Sequence, residues 1–329
     1  RSMLRALGEA RIESMVKLLE RVVTTSLYWV FLTNGSQNPT VYAFGFSIGV
    51  FISLIGTLWI GERVAQDGEG ELPPEWNSNK TLLISALPFA ITLGILPYVT
   101  KLEKFLLAGM ASYSEVSIYH VAQLAWIAGL MLPQAMRAAL LPYLGEVRDE
   151  PEKFASRMGT AHHWTLAILP LGLLAGHLIV SFSVPKLFDS DYSQAVEVFD
   201  ILLAGWAMTL LAVPWYVALQ AGHNPWRFTA MITLVVIVAA ISGWLLIPES
   251  GVMGAAWASV IGCSIMLSVS KLLCGDEDKL TDGLAVFCVA TCYLLSIGSP
   301  LAIMGVLTMI PAWNSIGYLR SQTHNSEEE

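Results

Sequence analysis

Charge is what this 329-residue sequence has little of. Asp, Glu, Lys and Arg make up 13% of it, about half the roughly 25% of water-soluble domains. With a mean hydropathy of +0.60, that shortage excludes an ordinary soluble globule. No Gly is followed by Lys anywhere, so the Gly-x-x-x-x-Gly-Lys loop that cradles phosphates is missing and nucleotide hydrolysis within these residues is excluded. Neither His-Glu-x-x-His nor Gly-x-Ser-x-Gly occurs, which removes the familiar metalloprotease and serine-hydrolase chemistries; no enzyme and no catalytic residue is expected. The four cysteines, Cys263, Cys274, Cys288 and Cys292, form no C-x-x-C pair and imply no disulfide framework. Cys288 and Cys292 share a helix face but lack the His or carboxylate partners of a metal site, so neither a metal nor a cofactor is expected. No basic stripe points to nucleic acid. The chain opens Arg1-Ser2-Met3-Leu4-Arg5, without a cleavable signal, and reads like the middle of a larger protein.

What is abundant is apolar sequence in long runs. About ten segments are long and greasy enough for helices crossing a hydrocarbon core of roughly 30 Å. They lie at 18–33, 40–60, 81–108, 116–144, 160–184, 195–221, 227–247, 252–273, 283–298 and 301–319. The last two are short and split by Ser299-Pro300, so one broken helix or a re-entrant pair is the alternative there. Barrel strands alternate in character over about ten residues, and none of these runs does. The expected fold is all-α, a polytopic transmembrane helix bundle.

Lys and Arg orient the bundle. With a cytoplasmic start, fourteen of the 18 fall on the inner side, while Lys101, Lys104 and Lys186 fall at outer ends and Arg137 near the inner end of the fourth span. Both termini are then cytoplasmic in the plasma membrane. The sequon Asn34-Gly35-Ser36 faces outward and Asn79-Lys80-Thr81 inward. Residues 1–62 comprise an interfacial amphipathic helix, with Leu4, Leu7, Ile12, Met15, Val16 and Leu19 between basic residues, followed by two spans. Residues 63–80, with Gly68, Gly70, Pro73 and Pro74, form a cytoplasmic linker. Eight spans fill 81–320, and 321–329 is an acidic cytoplasmic tail.

Ionisable groups inside a span cost about 2.5–3.5 kcal/mol on insertion scales and usually face a cavity or a partner. The densest cluster is Tyr98-Val99-Thr100-Lys101-Leu102-Glu103-Lys104. Lys101 and Lys104, three apart, share a face while Glu103 points elsewhere; they form either a cationic cavity wall or a snorkelling collar. The fourth span carries Tyr119, His120, Gln123, Arg137 and Tyr143. Tyr119 and Gln123 lie on one face, and Arg137 returns to nearly the same side about four turns on. That stripe either lines a cavity or joins helices. His162-His163 read as an interfacial belt, and His177 as a deep group open to proton coupling.

Several of these pieces occur in a familiar series. Leu87-Pro88-Phe89 opens a span that runs to Lys101-Leu102-Glu103-Lys104-Phe105-Leu106-Leu107-Ala108-Gly109. Ile118-Tyr119-His120-Val121-Ala122 and Ala139-Leu140-Leu141-Pro142-Tyr143-Leu144 follow. Further on come Leu187-Phe188-Asp189-Ser190-Asp191-Tyr192 and Leu246-Ile247-Pro248-Glu249-Ser250-Gly251-Val252-Met253-Gly254-Ala255-Ala256-Trp257-Ala258. Together they resemble polysaccharide-export flippases of the multidrug/oligosaccharidyl-lipid/polysaccharide superfamily, over about residues 1–320. The chain departs from the family's pattern at Glu103, where Asp is usual, and at Lys104, where Arg is usual.

The resemblance implies a partial flippase fold, with a first lobe lacking about four helices and a complete second lobe around a central cavity. It implies a transporter of lipid-linked oligosaccharide from the cytoplasmic to the outer leaflet by alternating access. Lys101, Lys104 and Arg137 would then neutralise phosphates beside Glu103, and Tyr119 and Gln123 would bind sugar hydroxyls. Partners would be the lipid-linked glycan, membrane lipids, and glycosyltransferases or a polymerase of the same pathway. The alternatives are a cation-coupled multidrug exporter of the same superfamily and a non-transporting membrane subunit or remnant.

Overall fold

Helices dominate because an apolar run in lipid must satisfy every backbone N–H and C=O within itself. The computed structural model describes residues 10–35, 39–66, 79–188, 190–276 and 278–327. Residues 1–9, 67–78 of the linker, Ser36 of the outer sequon, Asp189 and the last two tail residues lie outside the described residues. The helices are α1 (Ala10–Thr33), α2 (Pro39–Gln66), α3 (Asn79–Ile95), α4 (Leu102–Met110), α5 (Tyr113–Gly129), α6 (Met131–Gly145), α7 (Pro151–Leu187), α8 (Gln194–Ala221), α9 (Pro225–Cys274), α10 (Lys279–Ser296) and α11 (Met309–Glu327). Among the described residues there is no strand, and seven helical stretches are long and apolar enough to cross a membrane. The protein is a multi-pass membrane bundle.

Contacts gather into two units, Arg1–Thr81 and Leu82–Glu329. In the first, α1 and α2 pair through Tyr28, Phe31 and Tyr42, whose rings meet edge to face at 5.5 and 6.0 Å. The first nine residues of the expected entry helix lie outside the described residues; from Ala10 the helix runs unbroken to Thr33, because nothing between those positions breaks a helix.

In the second unit, α8 is the axis, buried along nearly its whole length. Lipid tails are as apolar as leucine, so helices in a bilayer associate by close fit rather than by hydrophobic exclusion. Small residues supply that fit. The tip of the Trp206 indole of α8 points at Gly172 of α7, where an added Cβ would come within 1.9 Å of the ring.

At 50 residues, α9 would reach about 75 Å if straight, more than twice the hydrocarbon thickness. It folds back instead. Gly251, at φ 54 and ψ −128, is non-helical, and Gly243 approaches Ala258 while Gly262 approaches Ala239. Both pairs straddle Gly251 symmetrically, so the two arms are antiparallel and account for the expected seventh and eighth spans. The ends of α9 are ordinary stops: Asn224 accepts the Trp226 N–H at 3.1 Å ahead of Pro225, and Gly275 closes the helix in the left-handed region. The final apolar stretch is two segments. After α10 the chain reverses at Gly298 and continues as a 3-10 helix, Pro300–Thr308, into α11.

Two spans expected as single helices are broken. The first is interrupted by a 3-10 turn, Leu96–Thr100, which begins around Pro97 and ends at the non-helical Lys101. The second breaks between α5 and α6 at Leu130. Pro133 cannot donate to the carbonyl of Gly129, and the Trp206 indole N–H fills that position at 2.9 Å. Both breaks border the same hollow.

Candidate functional site

The hollow lies inside the second unit, between the 96–103 segment, the α5–α6 break, α8 and the two arms of α9. Its volume is about 370 Å³, within the usual range of small-molecule sites. Most of its wall is apolar, with a few polar groups: Thr100, Glu103, Gln134, Arg137, Thr209, Tyr216 and Ser259. Arg137 is held by its Nε, which donates to Gln220 Oε1 at 2.9 Å. Its guanidinium has further N–H groups to offer a ligand, since it carries five donors in a planar fork. Glu103 is 2% exposed, and its Oε2 accepts no hydrogen bond. The Tyr119 hydroxyl and the Trp126 Nε1–H, both buried close by, make none either. An unpartnered buried polar atom costs about 1–3 kcal/mol. Two of the three, on Glu103 and Trp126, belong to residues that line the cavity.

The expected residues separate. Glu103 and Arg137 line the cavity and Tyr119 stands fully buried behind it, whereas Lys101 is exposed and Lys104 is not part of the lining. Lys104 Nζ instead lies 2.7 Å from His120 Nδ1. The reason is the break: Lys101 precedes the first residue of α4 with extended φ −129, so the shared face reckoned for an unbroken helix does not exist. On α4 it is Glu103 and Leu107 that point inward. The cavity wall therefore carries one acid and one base rather than a pair of lysines.

Gln123 does not reach the cavity. Its Nε2 donates to the Thr100 carbonyl at 2.7 Å, securing the last residue of the 3-10 turn whose geometry presents Glu103. Tyr143 leaves the stripe altogether and lies under the Arg157 guanidinium, 4.1 Å from ring centroid to Cζ.

Two polar constellations were not apparent in the sequence. Asp200, on the buried axis α8, is 2% exposed and its Oδ1 lies 2.8 Å from His177 Nδ1. A lone Asp within an apolar run was the available signal. At the end of the bundle that carries the α9–α10 connection, Lys271, 4% exposed, donates to the Asp278 carbonyl at 2.6 Å and to Asp282 at 2.5 Å. Trp215 Nε1 donates to Asp276 at 2.7 Å, and His162 Nε2 lies 3.3 Å from Asp278. Burial works against the Asp278 charge, but the Thr281 hydroxyl, the Leu280 and Thr281 N–H groups and His162 outweigh it and hold the carboxyl below its ordinary value. This clasp ties α7, α8, α9 and α10 together. Among the described residues no cluster of His, Cys, Asp or Glu is arranged to hold a metal.

The chain matches no protein-family model and no curated protein. Its structure is similar to that of the lipid II flippase MurJ in an inward-closed conformation, with a TM-score of 0.58 at 10% identity, over 100% of this chain and 70% of that one. The likeness is one of fold: the polytopic helical bundle is arranged similarly to that structure.

Proposed function

We propose that the protein is a membrane transporter, not an enzyme, and that it moves a lipid-linked, phosphate-bearing oligosaccharide from the cytoplasmic to the outer leaflet by alternating access. The observation that carries this reading is the 370 Å³ cavity, in which Arg137 and the unpartnered Glu103 stand among otherwise apolar walls. Arg137 supplies the bidentate, permanently charged donor suited to a phosphate. Glu103 and the Trp126 indole, on the cavity wall, are the groups suited to hydrogen-bond sugar hydroxyls. A fold shared with a protein named as a lipid II flippase supports the same class of cargo. The membrane is the plasma membrane with both termini cytoplasmic, and enzymes that build or polymerise the glycan are the natural partners.

The test is flipping in liposomes of a fluorescent polyprenyl-diphosphate sugar, read by the fraction protected from an added quencher. Arg137→Ala is expected to slow it about tenfold or more, a loss of about 1.4 kcal/mol in the limiting step. Lys101→Ala, outside the cavity, leaves the rate near that of the parent. Equal rates for Arg137→Ala and the parent would overturn the reading. Glu103 favours a second one, a cation-coupled exporter of cationic compounds, because a buried carboxylate attracts them. Extrusion of a cationic dye that is abolished by Glu103→Gln, with no flipping of the sugar lipid, would select it.

A further inference from the structure

Charges at membrane depth usually pair with one another or with backbone carbonyls. Arg137 does neither. Its Nε donates to Gln220 Oε1 at 2.9 Å, and among the described residues no carboxylate lies within ion-pair reach of its guanidinium. Glu103 shares the cavity wall with it but forms no such pair. Gln220 stands in the last turn of α8, and Tyr216, one turn earlier, lines the same wall. The amide can be turned only one way, because Nε has a proton to give and no lone pair to accept with. With Nε engaged, the side-on edge of the guanidinium fork is closed. What remains for an anion is the end-on pair of terminal nitrogens, Nη1 and Nη2.

We infer that Gln220 is a positioning residue for the phosphate of the cargo: a neutral tether that turns the Arg137 fork end-on to the cavity and leaves its charge uncancelled. The inference rests on the transport reading above and adds to it what sets the anion affinity of that site. A carboxylate at position 220 would hold Nε at least as firmly, since hydrogen bonds between ionised partners are the stronger kind. It would also cancel much of the positive charge and repel a phosphate. An apolar side chain there would free Nε and let the fork rotate. The two changes weaken anion binding for opposite reasons. Neither unseats the helix, because Met136, Leu140 and Leu141 beside Arg137 on α6 pack against the buried core.

The inference is tested with the full chain in liposomes, measuring initial flipping rates as the mole fraction of the fluorescent polyprenyl-diphosphate sugar is varied. Melting temperature is followed in parallel by intrinsic fluorescence in detergent. Gln220→Glu is expected to raise the apparent KM about tenfold, the worth of one charge-assisted hydrogen bond. Its melting temperature should equal or exceed the parent's, because a carboxylate in that place makes an ion pair with Arg137. Gln220→Leu should raise KM by a similar factor. A merely structural Gln220 would move the melting temperature and leave KM alone, so opposite movement of the two in Gln220→Glu is the signature of positioning. Gln220→Glu with the parent's KM, or with a KM that rises only alongside a lower melting temperature, would overturn the inference; should Gln220→Leu fail to fold, Gln220→Glu decides alone. Failure of the transport reading is recognised separately, as absence of flipping by the parent or a parent-like rate in Arg137→Ala.

Discussion

Trp206 shows how much one side chain can settle in lipid. Its ring requires a glycine at position 172, and its N–H satisfies a carbonyl that Pro133 leaves open. Trp206→Phe keeps most of the shape and removes the donor. We expect it to cost about 1–3 kcal/mol, the penalty for an orphaned buried acceptor, read as a lower melting temperature in detergent by intrinsic fluorescence. No pattern in the sequence announced this pairing, because it joins residues 77 positions apart. At the same scale, the sequence identified Glu103, Tyr119 and Arg137 as unusual at membrane depth, and the structure places Glu103 and Arg137 on the wall of one hollow with Tyr119 buried behind it. Lys101 was equally visible as a charge; its exposure depends on a φ angle that composition does not carry.

Among elements, the signals that failed were those for breaks. Pro97 and Pro133 were readable, but proline is tolerated in membrane helices when neighbours supply the missing bonds. At Pro133 that neighbour is Trp206, far along the chain, while Gln123 secures the Thr100 carbonyl at the other break. The start of α5 was more legible than it was taken to be: Ser112 and Glu115 form a reciprocal capping box, the S-x-x-E pattern that precedes an apolar run. Glu115 also reaches the bend of α9, where a Cβ on Gly251 would come within 2.0 Å of its Oε1. Gly251→Ala therefore meets both a clash and a backbone region open mainly to glycine. A destabilisation of about 1–3 kcal/mol is expected, with a lower yield of folded protein in size-exclusion chromatography.

The clasp around Asp278 gives an element-level test with a pH dependence. Asp278 caps α10, accepting the N–H groups of Leu280 at 3.0 Å and Thr281 at 3.4 Å. Removing such a cap costs about 0.5–2 kcal/mol, so Asp278→Ala should melt at lower temperature at neutral pH. Its carboxyl is held below the ordinary value, so its contribution is complete above about pH 4 and is lost as the pH falls through the depressed value. The gap in melting temperature between parent and Asp278→Ala should narrow on acidification. A gap that widened would show that the carboxylate does not act as described.

For the molecule as a whole, hydropathy and length were sufficient to give an all-helical membrane bundle, because lipid permits so few alternatives. The hollow was not legible in the same way, since it depends on which faces of broken helices meet. Sidedness rests on the distribution of Lys and Arg and is open to direct measurement. A cysteine at Ser193 should react with an impermeant maleimide on intact cells, and one at Glu150 only after permeabilisation; the reverse pattern would invert the bundle. Cys263, Cys288 and Cys292 are buried, and replacing Cys274 with Ser removes the more accessible background.

The missing rung between Gly129 and Pro133 has a mechanical outcome. Because its substitute donor belongs to the axial helix, the lower half of the bent span cannot swing alone without stranding a carbonyl in oil. It must travel with its neighbour as one lever, and the joint stays clutched for as long as the indole remains seated.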